Sequence, residues 1–484
     1  MRFRLAKFAG LILGAVFAAV AVRAADAPVP PFQAGDRVCF IGDSITHGGR
    51  YHLFIHLFYA TRFPDRRWEF FNAGVSGDSA SGAVRRFDWD IAPHKPTVAT
   101  IMLGMNDVNR NLYGTGQTDA KIETQRQQCL DEHAANMKKL AELLKQAGCR
   151  IIFITPSIYD QTGPMVMPNN LGVNDALGKC GQGARQLAME FGGTVVDFHG
   201  PMTELNAREQ AKDPAFTIVG PDRVHPRGAG HLMMAYLFLK AQQMPSLVAR
   251  MAVDAKAAVA AANVANCTIS NVTGTLDGVA FECLEKALPF PVPADAAGVL
   301  KLIPFQADLN QELLVVVNLA PGSYEIVIDD QPVAIASAEE LTTGVSLSDN
   351  PKTPMYKQAL EVQKFENTRH GTLSGKLRSL AAARHFHAPK DADPNDYEAM
   401  KKALLDFTEK QKDKPNYAYF KGQTDIYVTW KPKEAELLAD MDKAVDGIWQ
   451  ANKPKPHRFV IRKTSIAALP VAVSTAIPTS TVKP

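Results

Sequence analysis

Between Gly35 and Met244 short apolar runs alternate with segments whose hydrophobic residues recur every three or four positions. The runs VCFI (38–41), WEFFN (68–72), VATIML (98–103), RIIFIT (150–155) and TVVDF (194–198) are largely unbroken in hydrophobicity, as strands buried on both faces are. Between two of them Leu130, Ala134, Met137, Leu140 or Ala141, and Leu144 trace one face of a helix, with Gly148 as its C-terminal stop. Strand and helix in alternation predict a parallel sheet covered by helices on both faces. In open sheets of this kind ligands bind outside the carboxyl ends of the strands, so the loops after each run are where chemistry is expected.

The pattern changes after Met251. An Ala-rich connector, AVDAKAAVAAANVAN, leads into short β-type runs, VLKLIPF, ELLVVVNL, SYEIVID and PVAIA, separated by turn residues. They predict a small β module over 266–338. Past Thr353-Pro354, where proline suits a first helical turn, MYKQALEVQKFENT, YEAMKKALLDFTEKQ and KEAELLADMDKAVDGIW are charged and helically periodic. Residues 339–465 therefore read as a helical region ending in one extended run, HRFVIRK. The Pro/Thr/Ala-rich stretch 466–484 reads as a flexible tail. No internal repeat is evident.

Length and composition refine this picture. A chain of 484 residues is long enough for two or three domains. Residues 1–24 run from a basic start through an apolar stretch to small residues at Val22 and Ala24, the layout of a secretory signal cut after Ala24. The apolar run is shorter than the roughly 20 residues a membrane-spanning helix needs, so an exported protein, periplasmic or extracellular, with no membrane span after signal removal is expected. Loss of Arg2, Arg4, Lys7 and Arg23 with that segment takes the formal charge from +3 to −1. A near-neutral chain without a Lys/Arg stripe has no electrostatic footprint for nucleic acid. Six cysteines show no zinc-like spacing. Cys39 and Cys149 read as small buried residues, while Cys267 and Cys283, flanking a predicted hairpin, stand open between a disulfide and two thiols.

Four short motifs fall at predicted strand ends: GDSIT (42–46), NAGVSGDSA (72–80), LGMND (103–107) and PDRVHP (221–226). Each alone could be a turn. Together they supply what acyl transfer requires. A serine hydroxyl is a poor nucleophile unless a base lies within hydrogen-bond reach and an acidic group fixes that base's tautomer. Asp222 and His225, three residues apart in a loop before a helix, have the spacing for this pairing with Ser44. Charge developing on the carbonyl oxygen needs preorganised donors, for which Gly77 offers a backbone N–H, Asn106 an amide and Ser44 its own N–H.

Ser44, Gly77, Asn106 and His225, each within its motif, resemble the four hallmark residues of the SGNH hydrolases, also called GDSL esterases. GDSIT matches the first block of that family, Ser76–Asp78 the second, Gly104–Asp107 the third and Asp222–His225 the last. The resemblance covers about Phe32 to Met244. It implies a flavodoxin-like three-layer α/β/α sandwich with a parallel sheet, an SGNH hydrolase domain over 32–250, followed by the β module and the helical C-terminal region. It also implies catalysis without metal or other cofactor through an acyl-enzyme. Exported members with added β modules resemble enzymes that remove O-acetyl groups from polysaccharides. An acetylated saccharide or other small ester is therefore the expected substrate, against a lipase or thioesterase of the same family. The G-x-S-x-G of α/β-hydrolases is absent.

Other residues have competing readings. Gly74 rivals Gly77 as donor but suits a strand-exit turn. Asp43 and Asp107 neighbour catalytic positions and are expected to fix loop backbone. His47 could reach substrate or cap its loop. His52 and His56 have i, i+4 spacing, but Leu53 stands where a zinc protease helix carries glutamate. Asp197 and His199 lie on one strand face and read as structural. Trp430, Trp449, Tyr417, Tyr419 and Phe420 either pack a helical core or stack on sugars. In the second case the protein would be a non-catalytic carbohydrate-binding or surface protein, and the exposure of those rings discriminates.

Overall fold

The protein is described from a computed structural model, over residues 28–114, 119–387, 393 and 395–466. The expected signal segment and nearly all of the expected tail lie outside these residues. The chain divides into two compact units, one formed by the residues up to His56 with Trp68–Met244 and Asn367–Ala444, the other by Leu57–Arg67, Pro245–Glu366 and the residues from Val445 on.

The first unit is built on five parallel strands, β1 (Arg37–Gly42), β2 (Glu69–Gly74), β3 (Val98–Met102), β4 (Arg150–Ile154) and β5 (Thr194–Val196). Their order is β2-β1-β3-β4-β5. Every residue of β3 is buried, as are all but the first of β1, which is why these runs carry no polar alternation. On one face Cys39, Ile41, Ile101 and Phe153 pack with Met137, Leu140, Ala141 and Leu144 of helix Ala120–Gln146 and with Leu187 of helix Val173–Phe191. On the other, Phe40 meets Tyr51 and His52 near the start of helix Arg50–Arg62 and Phe238 of helix Gly228–Ala241. This is the α/β/α arrangement the sequence implies.

Helix Ala120–Gln146 departs from the expected stripe in one respect. Ala134 is exposed, and His133 takes the inward place beside it. The helix starts at an Asp119 cap that accepts from the Ile122 N–H at 2.8 Å. After its last residue Gly148 adopts a positive φ of 78°, the left-handed conformation that ends helices.

The same unit contains helices Gly375–His387, Tyr397–Glu409 and Tyr417–Trp430. Leu380, Ala383, Met400, Leu404 and Tyr427 form their core. Of the aromatics considered for sugar stacking here, Trp430 packs against this core and Phe420 sits edge-on to Phe407 at 5.0 Å, while Tyr419 is exposed.

The second unit holds two sheets. One is ordered β13-β10-β6-β7, from β6 (Leu247–Asp254), β7 (Val259–Ala260), β10 (Gln311–Val317) and β13 (Val345–Ser346). The other is ordered β12-β11-β14-β9-β8, from β8 (Cys267–Thr275), β9 (Gly278–Glu285), β11 (Ser323–Ile328), β12 (Gln331–Ser337) and β14 (Pro456–Thr464). Two expectations change here. Residues 252–254, read as connector, belong to β6 in parallel register with β10. HRFVIRK is extended as expected, but it lies in β14, the central strand between β11 and β9, and so belongs to this sheet rather than to the helical region. All six cysteines are free, with Cys267 and Cys283 buried on β8 and β9.

Candidate active site

The order β2-β1-β3 places the loops after these three strands side by side, because β1 is paired in parallel with both neighbours and Gly42 lies level with Gly74 and Met102. Ser44 is the first residue of the short helix Ser44–Gly48 that follows β1. Asp43 caps that helix, its carboxylate accepting from the Ile45 N–H at 2.9 Å. Burial raises the Asp43 pKa to about 7, against the opposing pull of this bond.

Ser44 Oγ lies 2.7 Å from His225 Nε2. His225 Nδ1 lies 2.5 Å from Asp222 Oδ2, and the other oxygen of Asp222 accepts from the N–H groups of Val224 and His225 at 3.1 and 3.0 Å. Partial burial works to raise the Asp222 pKa, but these bonds hold it below the ordinary carboxylate range. The carboxylate therefore stays ionised beside the imidazole.

Arg223, between them, adopts a φ of 68°, a left-handed conformation unusual for a side chain of this size. Its guanidinium donates to the carbonyls of Asp160, Gly163, Met165 and Met167 at 2.9 to 3.1 Å. These bonds hold the strained turn and tie it to the loop after β4. Nothing in the sequence marks this arginine, since its partners are backbone carbonyls some sixty residues away.

The loop after β2 separates the two candidate glycines. The Gly74 N–H donates to Asn72 Oδ1 at 2.9 Å, and a Cβ on Gly74 would meet the His47 nitrogen at 2.2 Å. Its donor is used and its place is a close backbone crossing. Gly77 has a φ of 84°, and a Cβ there would meet Phe386 Cζ at 3.8 Å, an ordinary van der Waals contact. Asn106, after β3, donates its amide to the Asp78 carbonyl at 2.8 Å, which fixes the side chain and leaves its second N–H available.

The remaining candidates have structural partners. His47 Nδ1 accepts from the Ser76 N–H at 3.2 Å, and burial with nearby Arg378, His370 and Arg86 lowers its pKa to about 4, so it is neutral. Asp107 Oδ1 accepts from the Ala80 N–H at 2.8 Å and pairs with His133 Nδ1 at 3.1 Å. Although burial opposes it, Cys180 and Asp107 raise the pKa of His133 to about 10. Asp197 accepts from Thr155 and Arg185, and His199 meets the Asn174 carbonyl. His52 and His56 are buried against Phe40 and Phe70. Among the described residues no group of three His, Cys, Asp or Glu side chains could hold a metal ion, and no helix is long and apolar enough to cross a membrane.

A solved structure described as a gut microbial diltiazem-metabolizing enzyme is 33% identical to this chain, with a TM-score of 0.82 over 91% of this chain and all of that one. The profile of the GDSL-like lipase/acylhydrolase family matches residues 40–233. The chain belongs to this SGNH family. The acetylxylan esterase of Geobacillus stearothermophilus is 27% identical over 224 residues, 43% of this chain and 94% of that enzyme. A solved structure of that esterase covers 43% of this chain with a TM-score of 0.34. As a family member the protein is an esterase.

The profile ends at residue 233, and a further set of residues converges on the same loop from beyond it. Helix Gly375–His387 sends Arg378 to the Gly74 carbonyl at 2.9 Å and to both oxygens of Asp90 at 2.7 Å. His385 Nε2 lies 3.1 Å from Asp78 Oδ1. Arg86 completes the cluster, donating to Asp78 at 2.7 Å and Asp90 at 2.5 Å. Burial works to raise the pKa of Asp90, but Arg378 and Arg86 hold it far below the ordinary range. Sequence reasoning missed this network, because helical periodicity shows which residues share a face and not which distant charge they meet.

Proposed function

We propose that the protein is an exported serine esterase that removes O-acetyl groups from carbohydrates, with Ser44 as nucleophile. The observation that carries this reading is the continuous chain from Ser44 Oγ through His225 to Asp222, with links of 2.7 and 2.5 Å. As Oγ bonds to the ester carbonyl carbon, His225 Nε2 takes the hydroxyl proton, and the carbonyl electron pair moves onto oxygen. That oxyanion faces the N–H groups of Ser44 and Gly77 and the free N–H of Asn106. Collapse breaks the bond to the alcohol, which leaves with the proton from His225. Water then repeats the sequence on the acyl-serine and releases the acid. Asp222 holds the imidazole in the required tautomer and stabilises it when charged.

Asp43, His47 and Asp107 act behind these groups. Asp43 caps the turn that presents Ser44, His47 holds Ser76, and Asp107 joins the start of helix Ala80–Arg85 to the loop after β3. No metal or other cofactor takes part in this scheme. The substrate assignment is supported by the similarity to an acetylxylan esterase and by access. The side chains of His225 and Asp222 remain 49% and 43% exposed, open enough for a bulky saccharide. Export is supported by the first 24 residues.

Acetate release from acetylated xylo-oligosaccharides and from p-nitrophenyl esters of increasing chain length tests the proposal. The wild type is expected to prefer acetyl esters, and Ser44→Ala to lose activity by a factor on the order of 10⁴ or more. Equal activity in both proteins would remove Ser44 from the mechanism. A preference for long acyl chains would point to a lipase or thioesterase, and saccharide binding without hydrolysis to a binding protein.

A further inference from the structure

We propose that helix Gly375–His387 belongs to the catalytic apparatus, with Arg378 and His385 positioning the oxyanion-hole loop and Phe386 forming one wall of the substrate site. The inference rests on the esterase reading with Gly77 as a donor. The loop Gly74–Asp78 runs from the end of β2 to the start of helix Ala80–Arg85, and its aim depends on what holds its two ends. At the first end Arg378 Nε donates to the Gly74 carbonyl at 2.9 Å. At the second His385 meets the Asp78 carboxylate at 3.1 Å. Both side chains are buried, with 6% and 3% of their surface exposed, so these bonds do not compete with water.

The same residue, Asp78, offers its carbonyl to the Asn106 amide at 2.8 Å. Asp78 thus joins two of the three oxyanion donors, following Gly77 in the chain and orienting Asn106 by its backbone. Arg86 reaches one oxygen of its carboxylate and His385 the other, so the side chain has one fixed rotamer only while both partners are present. Burial would raise the pKa of Asp78, but His385 and Arg86 keep it below the ordinary range and the carboxylate ionised. Displacement of Asp78 by a fraction of an ångström moves both donors relative to the oxyanion, the charge that forms only in the transition state.

Phe386, next to His385, lies against the same loop at Gly77. It is 43% exposed. Its Cζ stands 3.8 Å from the point where a Cβ on Gly77 would lie, and the His385 ring backs it edge-on at 4.5 Å. An exposed aromatic held beside the oxyanion glycine offers an apolar wall to whatever group the ester carries past the carbonyl. Stacking against the apolar face of a sugar ring is the use that fits a carbohydrate ester.

The positioning role predicts a split in kinetic constants that a merely structural role does not. His385→Ala is expected to lower kcat roughly ten- to hundredfold with KM within about twofold, because donors aimed at the oxyanion act on the transition state alone. His385→Gln, whose amide can donate to Asp78 Oδ1, is expected to recover most of that loss. Phe386→Ala is expected to raise KM for acetylated xylo-oligosaccharide about tenfold. Thermal melts of all variants show whether each is folded. A folded His385→Ala protein with wild-type kcat, or a loss that Gln does not restore, overturns the positioning role. An unchanged KM in Phe386→Ala overturns the wall. Ser44→Ala runs alongside: if it is inactive and His385→Ala is not impaired, this inference fails alone. If Ser44→Ala keeps its activity, the esterase reading fails first.

Discussion

Two glycines three residues apart do different work. Gly74 leaves β2 where the chain after Ser44 crosses it, and a methyl group there would lie 2.2 Å from the His47 nitrogen and 2.4 Å from the Thr46 carbonyl carbon. Both are backbone atoms and cannot swing aside. Gly77 meets no such obstacle, but its φ of 84° is one that L-residues adopt only at a cost of roughly 1 to 2 kcal/mol. Gly74→Ala is therefore expected to abolish soluble folded protein. Gly77→Ala is expected to remain folded, with a melting temperature a few degrees lower and kcat reduced at least tenfold as its N–H turns away from the oxyanion. Circular dichroism melts and esterase kinetics on the two variants check this, and equal behaviour of the pair would contradict it. The sequence favoured Gly77, because Ser76–Asp78 matches the family's second block and Gly74 suits a strand-exit turn, but a motif shows that glycine is present and not whether its N–H is free. The bond from Gly74 to Asn72, a partner two residues earlier, and the backbone crossing at Gly74 separate them.

At the level of elements, legibility followed the range of the interaction. The five strands of the first sheet were readable because burial on both faces leaves an unbroken apolar run. Three of the four motifs were readable because each sits at a strand's carboxyl end, where topology brings them together; PDRVHP, expected at a strand end as well, instead lies in the loop between helices His199–Gln210 and Gly228–Ala241. β14 was harder: its place between β9 and β11 depends on pairing across more than a hundred residues. Glu285 on β9 and Glu312 on β10 show another limit, since both are polar residues in strands yet wholly buried.

Burial and mutual repulsion raise the pKa of Glu285 well above its ordinary value, and burial raises that of Glu312 to about 7. The sign follows from linkage. A carboxyl whose pKa is higher in the folded state stabilises the fold fully below its unfolded value, and that contribution is lost as pH rises through the folded value. The second unit should therefore weaken between about pH 4.5 and pH 8, by up to about 3 kcal/mol if the whole Glu312 shift is expressed. Asp78, Asp90 and Asp222 have lowered values, so their contributions are lost only in stronger acid. In the first unit Asp43, raised to about 7, adds a decline of the same sign, and His47, lowered to about 4, opposes it below pH 6.5, so the difference made by Glu312→Gln carries the test. Melting followed at several pH values should show the decline, and Glu312→Gln should flatten it. A pH profile of stability that Glu312→Gln leaves unchanged would refute the assignment.

For the whole molecule the question is how much of the chain the active site needs. The family profile ends at residue 233, and the match to the acetylxylan esterase takes in 43% of the chain. A fragment ending at Met244 would keep Ser44, Gly77, Asn106, Asp222 and His225. It would also strip Asp90 of both Arg378 bonds and Asp78 of its bond to His385. Removing one partner of a buried charge pair typically costs about 3 to 5 kcal/mol, against a total stability of roughly 5 to 15 kcal/mol for a domain. The loss of Arg378 from buried Asp90, together with the loss of the hydrogen bonds to Asp78 and to the Gly74 carbonyl, should leave the fragment insoluble or inactive. Arg378→Met in the full chain isolates the charge term. It is expected to lower the melting temperature and to lower kcat more than it raises KM, since Asp90 would be left with Arg86 alone and Gly74 without its donor. Soluble yield, melting temperature and acetate release measured on the fragment and on this variant test the dependence. A fragment ending at Met244 that folds and hydrolyses acetyl esters at the full-length rate would show that the site is complete without the C-terminal helices.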